Sequence, residues 1–169
     1  MGEHLNDDTS KARRGILALD PGGTTGVAWA VYEDGADRFL ETQSFQIGPH
    51  EHHQELASLL EQAAAHENMV TAFVIESFEY RNRARPGLEL ISREYIGVTK
   101  LISDIHDIPL IVQSASQAKA FVKDEQLKKL GLWSAKTKDR HAHDAWRHLL
   151  TFVINHDPFS DNLRQPLLK

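Results

Sequence analysis

The chain has 169 residues, 41% hydrophobic and 25% charged, with a formal net charge of −5. That is the profile of one globular domain long enough to bury a sizeable core. It has no cysteine, which excludes disulfides and thiolate metal sites and suits a cytoplasmic compartment. No apolar run approaches membrane-spanning length, and the polar stretch Met1–Arg14 carries no signal-peptide core, so no membrane partner is expected.

Residues 1–14 read as a disordered leader, 15–155 as the folded domain and 156–169 as an irregular tail. Ile16–Leu19 is apolar without alternation, the pattern of a strand buried on both faces, and it runs into Asp20 and a Pro-Gly-Gly turn. Val27–Tyr32 and Arg38–Ile47 follow as strands around a turn at Glu33–Asp37, giving an antiparallel meander. Leu56, Leu59, Leu60 and Ala63 place a helix over 52–66. His50, His52 and His53 sit at its start beside Glu51 and Glu55, and read as a solvated helix end rather than a metal site. Val70–Ile75 is a second buried strand, and it too ends on an acid, Glu76.

A polar loop with Arg81, Arg83 and Arg85 leads to the clearest helix, where Leu88, Ile91, Tyr95, Val98, Ile102 and Ile105 form one stripe and Gly97 would admit another backbone. Pro109–Val112 is a short core strand, Ser114–Val122 a brief helix, and Gly131 ends another. In the last helix, from near His141, one face is Ala142, Ala145, Trp146, Leu149, Leu150 and Val153. The opposite face is His141, Asp144, His148 and Thr151.

Two readings of Asp20 stand at this point. It caps its own turn, or it is a carboxylate held rigidly at a strand exit, where a site can be preorganised. The order of elements, with acids after the first and fourth strands and on the last helix, resembles the ribonuclease H-like layout. That fold is a five-stranded mixed sheet, three antiparallel strands then parallel ones, flanked by helices. The resemblance implies that Asp20, Glu76 and Asp144 converge. Three adjacent carboxylates raise one another's pKa unless a cation intervenes. Oxygen ligands select Mg²⁺, and two such ions clamp the attacking and leaving oxygens of a phosphodiester undergoing hydrolysis.

More narrowly, Leu19–Gly26 (LDPGGTTG), Val74–Glu76, Ser114–Lys119 and His141–Ala145 resemble the RuvC-like Holliday junction resolvases, including short phage-encoded members, over residues 15–155. The resemblance implies a crossover junction endodeoxyribonuclease with two Mg²⁺ per site, replaceable by Mn²⁺. Asp20 would bridge the ions, with Glu76, His141 and Asp144 completing the set and Lys119 near the scissile phosphate. It further implies a homodimer through helix 88–105, and stacking of Phe78 or Tyr80 on unpaired bases; core or rim packing is the equal alternative for these two rings. Phosphates of branched DNA, in four-way junctions, forks or flaps, would meet Arg81, Arg83, Arg85, Lys119 and Lys123. A second active-site lysine has three candidates: Lys123, Lys136 and Lys138.

The acidic net charge runs against a nucleic-acid partner, although charge distribution outweighs the sum. The Asp-Pro-Gly-Gly-Thr-Thr-Gly stretch is also similar to the first phosphate loop of actin-like sugar kinases, but 169 residues leave no room for their second domain. An RNA-processing nuclease of the same superfamily and a non-catalytic nucleic-acid-binding domain complete the alternatives.

Overall fold

Strand parity explains how the layers form. In the computed structural model, which describes residues 12–48, 53–65, 70–78, 88–136 and 139–156, β1 (Arg13–Asp20) lies at the centre of a five-stranded sheet. The others are β2 (Thr25–Glu33), β3 (Glu41–Ile47), β4 (Val70–Glu76) and β5 (Leu110–Gln113), in the order β3-β2-β1-β4-β5. The β1–β2 and β2–β3 pairs are antiparallel, while β1–β4 and β4–β5 are parallel. This is the mixed sheet expected from the sequence.

Successive side chains on a strand point to opposite faces, so the sheet builds two cores. Ile16, Ala18, Ala28, Ala30, Ala72 and Val74 meet α5 (Arg140–His156) through Trp146, Leu149, Leu150 and Val153. Leu17, Leu19, Val27, Phe73 and Ile75 meet α1 (His53–Ala65) and α2 (Leu88–His106) through Leu56, Leu60, Tyr95 and Ile102. The alanines on the first face keep that surface low, which lets α5 lie directly on β1 and β2. Two short helices, α3 (Ala115–Phe121) and α4 (Asp124–Lys129), link β5 to α5.

Several local expectations need correction. The first strand begins at Arg13, inside the stretch read as leader, and Arg14 pairs with Asp34 at 2.6 Å. The third strand starts at Glu41 rather than Arg38, because Phe39 turns inward to pack edge-on against Tyr32 and beside Trp146. Gly22 has no positive φ; among the described residues that conformation falls at Gly35 (φ 74°), Gly131 (φ 70°) and Asp107 (φ 52°). An added Cβ at Gly97 would meet nothing within 4 Å among the described residues. Of the α2 stripe, Tyr95 and Ile102 are buried, but Ile105 is 61% exposed and its neighbour Leu101 58%. No helix among the described residues is long and apolar enough to cross a membrane.

Candidate active site

Asp20 and Glu76 end parallel neighbours, with Leu19 beside Ile75 in the register, so both carboxylates leave the sheet at one edge. Both also share parity with the residues that face α5: Ile16 and Ala18 in β1, Ala72 and Val74 in β4. Helix α5 crosses above that edge, and each of its polar residues meets a particular strand.

His141 meets the row Gln46, Gly26, Asp20, which are register partners across β3, β2 and β1. Its backbone N–H donates to Gln46 Oε1 at 3.0 Å, its carbonyl lies over the bare Cα of Gly26, and its Nδ1 is 2.9 Å from Asp20 Oδ2. An ionised Asp20 can only accept, so Nδ1 carries a hydrogen, and in a singly protonated ring the lone pair is on Nε2.

Seven residues on, about 10 Å along the helix axis, His148 meets the register pair Glu76 and Gln113. Its Nε2 is 2.9 Å from Glu76 Oε2 and its Nδ1 3.2 Å from Gln113 Oε1. His148 is 1% exposed, and Gln113 Nε2 is buried without a partner. Reversing the Gln113 amide satisfies both groups: Nε2 of Gln113 then donates to Nδ1, and an imidazole with one ring proton donates from its own Nε2 to Glu76.

Asp144 is held from two sides. Arg147 binds Oδ1 and also bridges to Asp124, and Lys119 Nζ, from α3, lies 3.3 Å from Oδ2. The cations balance Asp144, while among the described residues Asp20 and Glu76 have only imidazoles as ion-pair partners. Burial pushes the Asp20 carboxyl above the ordinary carboxylate range. The His141 hydrogen bond opposes this, and the charges of Glu76 and Asp144 add to it.

Asp20, Glu76, His141, Asp144 and Lys119 line one cleft of about 390 Å³, together with Ser77, Phe78 and Arg140; His148, Gln113 and Arg147 are not part of its lining. Among the described residues, no three His, Asp or Glu side chains are gathered as a ready-made metal cluster, because each acid leans on its own partner. The donor chemistry nevertheless fits a hard divalent ion: three carboxylates and an imidazole face one cleft, and the like charges around buried Asp20 lack a full counter-charge.

Phe78 lines the cleft, and the Arg93 guanidinium lies 5.0 Å from its ring centroid. Lys123 lines a neighbouring hollow instead, its Nζ donating to the Lys119 carbonyl at 2.6 Å. Lys136 is exposed in the loop before α5. Tyr80, Arg81, Arg83, Arg85 and Lys138 lie outside the described residues. Sequence reasoning missed Arg140, Arg147, His148 and Gln113 as parts of the site. The signal for two of them was present, since Arg147 and His148 follow Asp144 by three and four residues.

No protein-family model and no curated protein matches this chain. Solved structures do, two RuvC structures among them. T. thermophilus RuvC in complex with a Holliday junction substrate is 16% identical with a TM-score of 0.59, covering 82% of this chain and 91% of that one. A further Thermus thermophilus RuvC structure is 18% identical with a TM-score of 0.57, covering 81% and 92%. Sheet order, strand directions and this overlap lead to one conclusion: the chain has the ribonuclease H-like fold of RuvC.

Proposed function

We propose that the protein is a divalent-metal-dependent endonuclease that cuts branched DNA, four-way junctions foremost, as a homodimer with one site per subunit. The observation that carries this reading is the convergence of Asp20, Glu76, His141 and Asp144 on one strand-edge cleft in a fold whose neighbour was solved on a Holliday junction substrate. The exposed Leu101 and Ile105 on α2 offer an apolar face to a second copy, and a two-fold dimer would suit a two-fold substrate.

Asp20, Glu76, His141 and Asp144 are the residues that would hold the ions, which when bound supply an activated water and charge neutralisation at the leaving oxygen. His141 would offer the Nε2 of its singly protonated ring, as ligand or as proton acceptor, with Asp20 holding the ring through Nδ1. Lys119, now on Asp144, is within the same cleft to meet charge developing on the phosphate. Phe78, with Tyr80, would stack on bases at the crossover, and Arg81, Arg83, Arg85 and Lys123 would engage phosphates.

The test is incubation with labelled four-way junction, fork, flap, linear duplex and structured RNA, with Mg²⁺, with Mn²⁺ and with chelator. Paired nicks in the junction that require metal are expected. Cleavage that survives the chelator, or activity confined to RNA, would remove the reading. His148 gives a second measurement. His148→Ala should lower cleavage roughly 10- to 100-fold by unfastening Glu76 and raise the Mn²⁺ concentration needed for half-maximal rate, with His148→Gln intermediate. An unchanged Mn²⁺ midpoint in both variants would separate His148 from the site.

A further inference from the structure

Beside the cleft, and sharing Lys119, Arg140 and Asp144 with it, lies a second hollow of about 540 Å³. One wall is the indole of Trp133, stacked on the imidazole of His143 with centroids 4.1 Å apart and planes 13° from parallel. His143 is buried, and its Nε2 accepts the Ser134 N–H at 3.1 Å. The indole is therefore fixed from beneath by a ring that cannot swing. Its other face carries the Lys128 Nζ, 5.0 Å from the ring centroid, on an exposed and displaceable side chain.

The lining of this hollow carries four cations, Lys119, Lys123, Arg140 and Arg147, against three acids, Asp124, Glu125 and Asp144, an excess of one positive charge. Arg147 bridges Asp124 and Asp144, and Lys119 also pairs with Asp144. Arg140 stands at the seam of cleft and hollow, exposed, and makes no hydrogen bond or ion pair among the described residues. A rigid aromatic face beside the unpaired Arg140, in a lining of net positive charge, suits a nucleobase joined to a phosphate, since stacking accepts any base and cations follow the backbone.

We propose that this hollow is a second nucleic-acid subsite, taking a nucleotide that flanks the bond in the cleft, its base on the outer face of Trp133 and its phosphate on Arg140 and Lys123. The proposal rests on the nuclease reading, and it adds a strand path that leaves the cleft over Arg140 and turns toward α4.

The test uses the full chain carrying Asp20→Asn, in chelator, with a four-way junction and a single-stranded oligonucleotide as probes. Binding should quench tryptophan emission, and Trp133→Phe should abolish the quench while keeping affinity, because phenylalanine still stacks. Trp133→Leu should bind roughly tenfold more weakly. Arg140→Gln should weaken binding and reduce the salt slope by about one. If the Asp20→Asn chain binds DNA and neither Trp133→Leu nor Arg140→Gln changes affinity or salt slope, the subsite is wrong while the nuclease reading stands. If that chain binds neither probe, both fall. Should Trp133→Leu fail to fold, the quench assignment and Arg140→Gln still decide the matter. Quenching by a free mononucleotide, with strand affinity untouched in Arg140→Gln, would also overturn the proposal.

Discussion

Asp20→Asn should lower cleavage steeply and, in chelator at neutral pH, raise the melting temperature. The two effects have one source. Asp20 is 6% exposed and lies with two other carboxylates at the strand edge, and burial holds its carboxyl above the ordinary carboxylate range. Its ionised form is therefore less favourable folded than unfolded. The sign follows from linkage. Between the ordinary value and the raised one, the folded chain binds more protons than the unfolded, so stability falls as pH rises through that window. Above the raised value the penalty is complete, and asparagine removes it while its Oδ1 can still accept from His141 Nδ1. A gain of about 1 kcal/mol would raise Tm by roughly 2–4 °C in a chain of this size. The gain should disappear below the ordinary carboxyl pKa, where wild-type Asp20 is protonated in both states. Cleavage should fall roughly 10²- to 10³-fold, the cost of losing one group that stabilises transition-state charge. Mg²⁺ should then raise the Tm of wild type and leave the variant nearly unmoved, because only a chain that binds the ion gains from it. A variant that cuts junctions at the wild-type rate, or wild type that Mg²⁺ does not stabilise, would remove Asp20 from the metal set.

How much of this was legible in the sequence depends on what kind of signal each residue leaves. The buried strand ending on Asp20 and the one ending on Glu76 were readable because unbroken apolar runs are strong signals. Their convergence was also implicit in parity: Ile16, Ala18 and Asp20 share a face, as do Ala72, Val74 and Glu76. The final helix was readable on its Trp146 face. Its other face was recognised as polar, but not as buried, and the structure encloses Asp144, His148 and Thr151 at 8%, 1% and 2% exposure. Periodicity reports which residues share a face and not what that face meets. That limit explains the misses at His148 and Gln113, 35 positions apart, whose contact exists only once β5 has docked beside β4. It also explains Gly97, whose lack of a side chain marked no contact among the described residues, while the glycine that matters most for packing stood unnoticed at the end of the opening motif.

Gly26→Ala should be the most damaging single methyl in the protein. Gly26 pairs with Asp20 in the β1–β2 register and shares the parity of Ala28 and Ala30, so its Cα faces α5. A Cβ built there would lie 1.9 Å from the His141 carbonyl oxygen and 2.1 Å from its carbon. Both are backbone atoms, and no rotamer change can relieve the clash. The first turn of α5 must lift, or β2 must bend. Overpacking of a fitted core costs about 1–3 kcal/mol and occasionally more, and contact with backbone on a rigid strand places this case at the upper end, a Tm loss of roughly 6–12 °C. Whatever fold survives has its helix displaced where His141 and Asp144 project, and a 1 Å misplacement of such groups costs about 10²-fold in rate. Gly97→Ala is the contrast. That glycine is exposed in mid-helix with open space around it, so alanine should stabilise α2 by about 0.5–1 kcal/mol. Thermal melts and junction cleavage on the pair settle the point. If Gly26→Ala melts with wild type and cuts at its rate, α5 does not rest on β2 through that bare Cα, and the anchoring of His141 by the row from Gln46 to Asp20 is wrong.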